Sequence, residues 1–135
     1  MLLRQPIVWV DTDLDYTFLV RRAFMNAAIE NPVVCLTSGE LAISYLTVRK
    51  PESDPVPLLI VIGSPLPNMT RLQLLSRIKN WPRLAAIPVV FLEAEAGVED
   101  DRLKKLGIMG VLRKSSAKEK TILLLTNVIA NCLRI

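Results

Sequence analysis

The chain has 135 residues, 51% of them hydrophobic and 22% charged, which fits one packed domain, excludes disorder and leaves little room for a second unit. Net charge is +4, but the 17 lysines and arginines are spread along the chain with no dense basic run interleaved with aromatics, so nucleic-acid binding is not supported. There is no histidine, and the two cysteines, Cys35 and Cys132, lack the spacing of a zinc site, which removes the commonest general base and the commonest metal ligands.

The first apolar stretch is interrupted by Arg4, Gln5 and Pro6 and ends in acids, unlike a signal peptide. No run approaches the length of a membrane span, so the cytoplasm is the expected compartment. Ile7–Val10 is short, apolar and β-branched, as a buried strand is. Asp13 or Asp15 is placed to cap a helix over 16–29, with Phe18, Leu19, Ala23, Met25 and Ala27 among its stripe, and Asn31-Pro32 ends it. Val33–Leu36 reads as a second strand. Thr37 or Ser38 caps a helix running to Val48, with Leu41, Ile43, Tyr45 and Leu46 apolar. Residues 50–57, rich in proline and acids, form a loop.

Residues 58–62 are apolar without a break, the pattern of a strand covered on both faces. A turn-rich segment from Gly63 to Asn68 leads into a helix over 70–80, with Leu72, Leu75 and Ile78 on one side, closed by Trp81-Pro82. A fourth strand spans 88–92. A short charged helix over 98–106 ends at Gly107, a fifth strand spans 109–112, and a closing helix spans 118–133. Trp9, Trp81, Met25, Met69 and Met109 read as packing or loop residues, and both thiols as buried and reduced.

Five strand–helix repeats imply an α/β fold, a single doubly wound (βα)5 flavodoxin-like domain over 1–135 with a five-stranded parallel sheet and helices on both faces. In such folds ligands bind beyond the carboxyl ends of the strands. Those ends carry Asp11-Thr12-Asp13, Gly63-Ser64-Pro65, Glu93-Ala94-Glu95 and Lys114-Ser115-Ser116.

Over nearly its whole length the chain resembles a response-regulator receiver domain. Val10-Asp11-Thr12-Asp13 stands where receivers carry an acidic pair. Leu66-Pro67-Asn68-Met69-Thr70 resembles the turn after their third strand, Ile78-Lys79-Asn80-Trp81-Pro82 with Ile87-Pro88 keeps their spacing, and Leu112-Arg113-Lys114 matches their strand-five lysine. The resemblance implies a two-component signalling module. In that family, carboxylates after strand one and at the tip of strand three hold a divalent cation, and the strand-three aspartate accepts a phosphoryl group.

The sequence departs from this pattern at most of those positions. The acceptor position falls on Gly63, which can form no acyl phosphate. Only Asp11 of the acidic pair remains, with Thr12 beside it and Asp13 close by. Glu93 stands at the strand-four hydroxyl position and Val111 at the strand-five aromatic position, while Lys114 is kept. The chain is thus expected to be a degenerate receiver with no catalytic residue, no metal and no cofactor. Glu93 is a candidate partner for Lys114; the alternative pairs Lys114 with Asp11 and turns Glu93 to solvent. Ser64 lacks a histidine to activate it as a nucleophile.

The closing helix has a wide apolar stripe, with Leu123 and Leu124 beside Ile122, Leu125, Val128 and Ile129, which suits contact with another chain. The resemblance implies protein partners: a histidine kinase, another regulator, or a second copy through the strand-four to helix-five face. No output domain is expected after Ile135, so any effect is expected to pass through binding. The competing reading is a flavodoxin-like small-molecule or nucleotide-binding module, although neither phosphate-binding glycine motif is present.

Overall fold

The computed structural model describes residues 4–50, 53–63, 65–93 and 107–113, together with 123, 126, 127 and 129–131. Five strands, β1 (Ile7–Val10), β2 (Val33–Leu36), β3 (Leu59–Ile62), β4 (Val89–Glu93) and β5 (Gly110–Arg113), form one sheet in the order β2-β1-β3-β4-β5. Every pairing is parallel, with Ile7 opposite both Val33 and Leu59, Ile60 opposite Val89, and Phe91 opposite Val111. Three helices are fully described: α1 (Leu14–Asn26), α2 (Gly39–Val48) and α3 (Arg71–Asn80).

β1, β2 and β3 are apolar at every position, and β4 up to its last residue, because both faces of the sheet are covered. Side chains alternate across the pleat. Val8, Val10, Ile60, Ile62, Val89 and Phe91 pack with Ala42 and Leu46 of α2 and Leu74, Leu75 and Ile78 of α3. Ile7, Trp9, Leu59, Val61, Val90 and Leu92 pack on the other side with Tyr16, Val20 and Phe24 of α1, and with Ile129. The expected α/β architecture, a five-stranded parallel sheet with flanking helices, is what the chain adopts.

Three helix faces differ from expectation. In α1 the buried residues are Tyr16, Thr17, Val20 and Phe24, whereas Phe18 and Met25 are exposed. Leu41 in α2 and Leu72 in α3 also face outward, and Leu74 takes the core position. Several faces of these helices carry apolar residues, so composition alone does not choose the core side; packing on the sheet does. Trp9 is fully buried and stacks with Tyr16 at 6.3 Å between centroids, as a packing residue. Met69 is buried, while Met109 and Trp81 are exposed. Cys35 is a free, half-buried thiol on β2. The expected helix over 98–106 and Cys132 lie outside the described residues, as does much of the closing helix, of which 123, 126, 127 and 129–131 are helical. Gly107 has φ +82°, the left-handed conformation expected of a residue just past a helix.

Helix starts are chemically specified. The Asp13 carboxylate accepts from the Tyr16 amide, Ser38 accepts from Leu41, and Thr70 with Gln73 forms a reciprocal capping box on α3. Of the two acids proposed for the first cap, Asp13 fills it, and Asp15 lies in the first turn.

Candidate functional site

β1 and β3 end side by side at the carboxyl edge of the sheet, which brings Asp11 and Gly63 together. The Gly63 amide donates to the Val10 carbonyl at 2.7 Å, and the Asp11 amide to the Leu36 carbonyl at 3.0 Å. Both residues are buried. Asp11 Oδ1 accepts from the Asp13 amide at 3.3 Å, which turns the carboxylate toward the chain's path into α1. A Cβ at position 63 would lie 2.7 Å from Asp11 Cγ and 2.8 Å from its Oδ1. The Asp11 carboxylate therefore occupies the space that a side chain at the tip of β3 would enter. Thr12 and Asp13 are exposed beyond it.

Glu93 is the last residue of β4. The pleat places it on the same side as Phe91, facing α3, and its carboxylate is paired there with the guanidinium of Arg71. The side chains are 19% and 13% exposed for arginine and glutamate, so the pair is largely removed from water. The guanidinium also lies over the Phe91 ring, 4.8 Å from its centroid, and Arg71 Nη1 is buried without an acceptor among the described residues. The arrangement is a clasp that ties the first residue of α3 to the tip of β4. Val111 packs half-buried against the cluster that contains Phe91. Lys114, and with it any contact to Glu93 or Asp11, lies outside the described residues, as does Ser64.

No family model matches the chain. A curated protein, the probable methanogenesis regulatory protein FilR2 of Methanothrix harundinacea (strain 6Ac), is 29% identical over 96 residues, covering 71% of this chain and 62% of that protein. The chain thus matches under two thirds of that relative's length. The phosphorylated cyanobacterial phytochrome response regulator RcpA superposes with a TM-score of 0.82 at 25% identity, over 97% of this chain and 95% of that one. The Mn(2+)-bound form of response regulator Rcp1 superposes with a TM-score of 0.80 at 26% identity, over 96% and 95%. The fold is that of a response-regulator receiver domain. The bacteriophytochrome response regulator AtBRR shares it, with a TM-score of 0.76 at 24% identity over 98% of this chain and 95% of that one.

On this receiver frame, three of the residues singled out from sequence lie at one sheet edge: Asp11 and Gly63 directly follow β1 and β3, and Glu93 ends β4. Sequence reasoning missed Arg71, which it counted among dispersed surface charges. A signal was present. Arg71 is the first residue of a helix, where the backbone dipole disfavours a cation. A cation there gains from a carboxylate brought from elsewhere in the chain, and the pleat delivers Glu93. Receiver domains are in general signalling modules rather than enzymes, and no helix among the described residues is long and apolar enough to cross a membrane.

Proposed function

We propose that this chain is a degenerate receiver that signals without phosphorylation, by protein–protein interaction in a two-component-type pathway. One observation carries the reading. At the tip of β3, where the receiver resemblance places the acceptor aspartate, Gly63 offers no oxygen, and the Asp11 carboxylate fills the adjoining space. Among the described residues no three His, Cys, Asp or Glu side chains gather as metal ligands. The described residues at this edge do not fit a dedicated divalent-cation site: Asp11 is one carboxylate beside a glycine, and Asp13 caps α1. The Arg71–Glu93 clasp supports the same reading, since it holds the β4 tip through a contact that needs no added group.

The partners that suit this reading are a histidine kinase, another regulator or a second copy, met in the cytoplasm. Leu123 on the closing helix is exposed, as a partner-facing residue would be. Sedimentation across a concentration series is expected to reveal a dimer; monomer at every concentration removes the homodimer and leaves the other partners. The test of the main reading is incubation with acetyl phosphate and magnesium, followed by intact-mass measurement. The expected result is an unchanged mass. A stable adduct of one phosphoryl group, at Asp11 or elsewhere, overturns it.

A further inference from the structure

At the opposite, amino-terminal edge of the sheet lies an open cleft of about 280 Å³, lined by Leu46 at the end of α2, Pro55, Val56 and Pro57 before β3, and Leu84 before β4. Its charged lining is Arg49, Lys50, Arg83 and one acid, Asp54. Arg49 is not a loose surface cation. Its guanidinium donates to the Tyr45 hydroxyl at 2.5 Å and to the Pro55 carbonyl at 2.6 Å, and it lies over the Tyr45 ring at 4.9 Å. These contacts use two of the five N–H donors and fix the plane of the group, yet none of them neutralises its charge.

Asp54 does not neutralise it either. One of its carboxylate oxygens accepts from the Lys50 backbone amide at 2.7 Å. Among the described residues the ion pairs are Arg4–Glu30 and Arg71–Glu93, and no described carboxylate lies within ion-pair distance of Arg49, Lys50 or Arg83. An apolar cleft with an immobilised guanidinium that no described carboxylate pairs, and two further cations at its rim, has a defined complement. Its volume lies at the lower end of ligand-pocket sizes, so the occupant is small. The complement is an apolar body that excludes water from the cleft and one anionic group that takes the spare N–H donors.

We propose that this cleft binds a small organic monoanion, a carboxylate on an apolar body. The site is remote from Asp11 and Gly63, and does not depend on how the receiver pocket is read. The probes are octanoate and, as its neutral counterpart, octanol, titrated into the whole 135-residue chain and followed by amide NMR at Leu46 and Val56. Octanoate is expected to give saturable shifts at these residues and to bind about tenfold more tightly than octanol, the difference shrinking at high salt. Arg83→Gln, at an exposed side chain, is expected to weaken octanoate several-fold and leave octanol unchanged. Val56→Trp is expected to block both probes, because it fills the cleft while preserving the backbone carbonyl that accepts from Gln5. Arg49→Gln is expected to abolish the preference for the anion, and its thermal melt separates lost binding from lost fold. The proposal is overturned by an absence of saturable shifts in wild type, by equal affinity for the two probes, or by shifts that map away from Leu46 and Val56.

Discussion

Gly63 and Asp11 interact through a volume, not through a bond. A side chain at 63 must displace a buried carboxylate that also accepts from the Asp13 amide. Gly63→Asp is therefore expected to destabilise the fold by about 1–3 kcal/mol in urea unfolding, from overpacking and like charge together. The double variant Gly63→Asp with Asp11→Ala is expected to recover part of that loss, because the added side chain then has room. The Arg71–Glu93 clasp behaves differently because both partners are mostly buried. Glu93→Ala leaves a guanidinium out of water without its counter-charge and is expected to cost about 3 kcal/mol. Replacing both residues by leucine is expected to cost much less, since two apolar side chains need no partner. If the single variant were neutral, the pair would be a surface contact without structural weight.

At the scale of the element, α1 closes in a way that a single substitution can improve. The Ala28 amide donates to the Met25 carbonyl at 3.1 Å and the Ile29 amide to the Phe24 carbonyl at 2.9 Å, with Phe24 and Ile29 in one apolar cluster. This is a Schellman ending, whose left-handed residue is ordinarily glycine, and here Ala28 adopts φ 59°. Ala28→Gly is expected to raise stability by up to about 1 kcal/mol, read as a higher urea midpoint with an unchanged slope. On the edge strand β2, burial pushes the Cys35 thiol above its ordinary range, an effect that Arg21 partly opposes. The folded chain then keeps a proton that the unfolded chain has released. Stability is expected to fall as the pH rises through the thiol range, from about pH 8 upward. Urea midpoints of Cys132→Ser, compared with those of a variant that also carries Cys35→Ala, measure it: only the first should show the slope.

The whole molecule is a sheet whose centre is protected and whose edges are not. β1 and β3 sit inside the sheet and are fully buried, whereas β2 lies at an edge and is half-buried throughout. Amide exchange is expected to be slowest in Ile7–Val10 and Leu59–Ile62 and much faster in Val33–Leu36. A β2 as protected as β1 would mean that something covers that edge in solution. The two candidate sites lie at opposite ends of the strands, one closed by Asp11 and the Arg71–Glu93 clasp, the other an open cleft around Arg49. They can be altered separately by mutation.

Much of this was legible from residue order alone. Unbroken apolar strands, polar caps such as Asp13, Ser38 and Thr70, and breakers such as Trp81-Pro82 are local signals, set by backbone geometry within a few residues, and they determine the parallel α/β fold. The glycine at the tip of β3 was equally plain. Local pattern could not decide which apolar face of α1 turns inward, because Phe18 and Phe24 are equal candidates until the helix is laid on the sheet. Nor could it show that Asp11 leans into the space beside Gly63, or that Glu93 meets Arg71, 22 positions away in the chain. Those contacts join residues that only the strand order and the pleat bring to one edge, so the tertiary structure alone decided them.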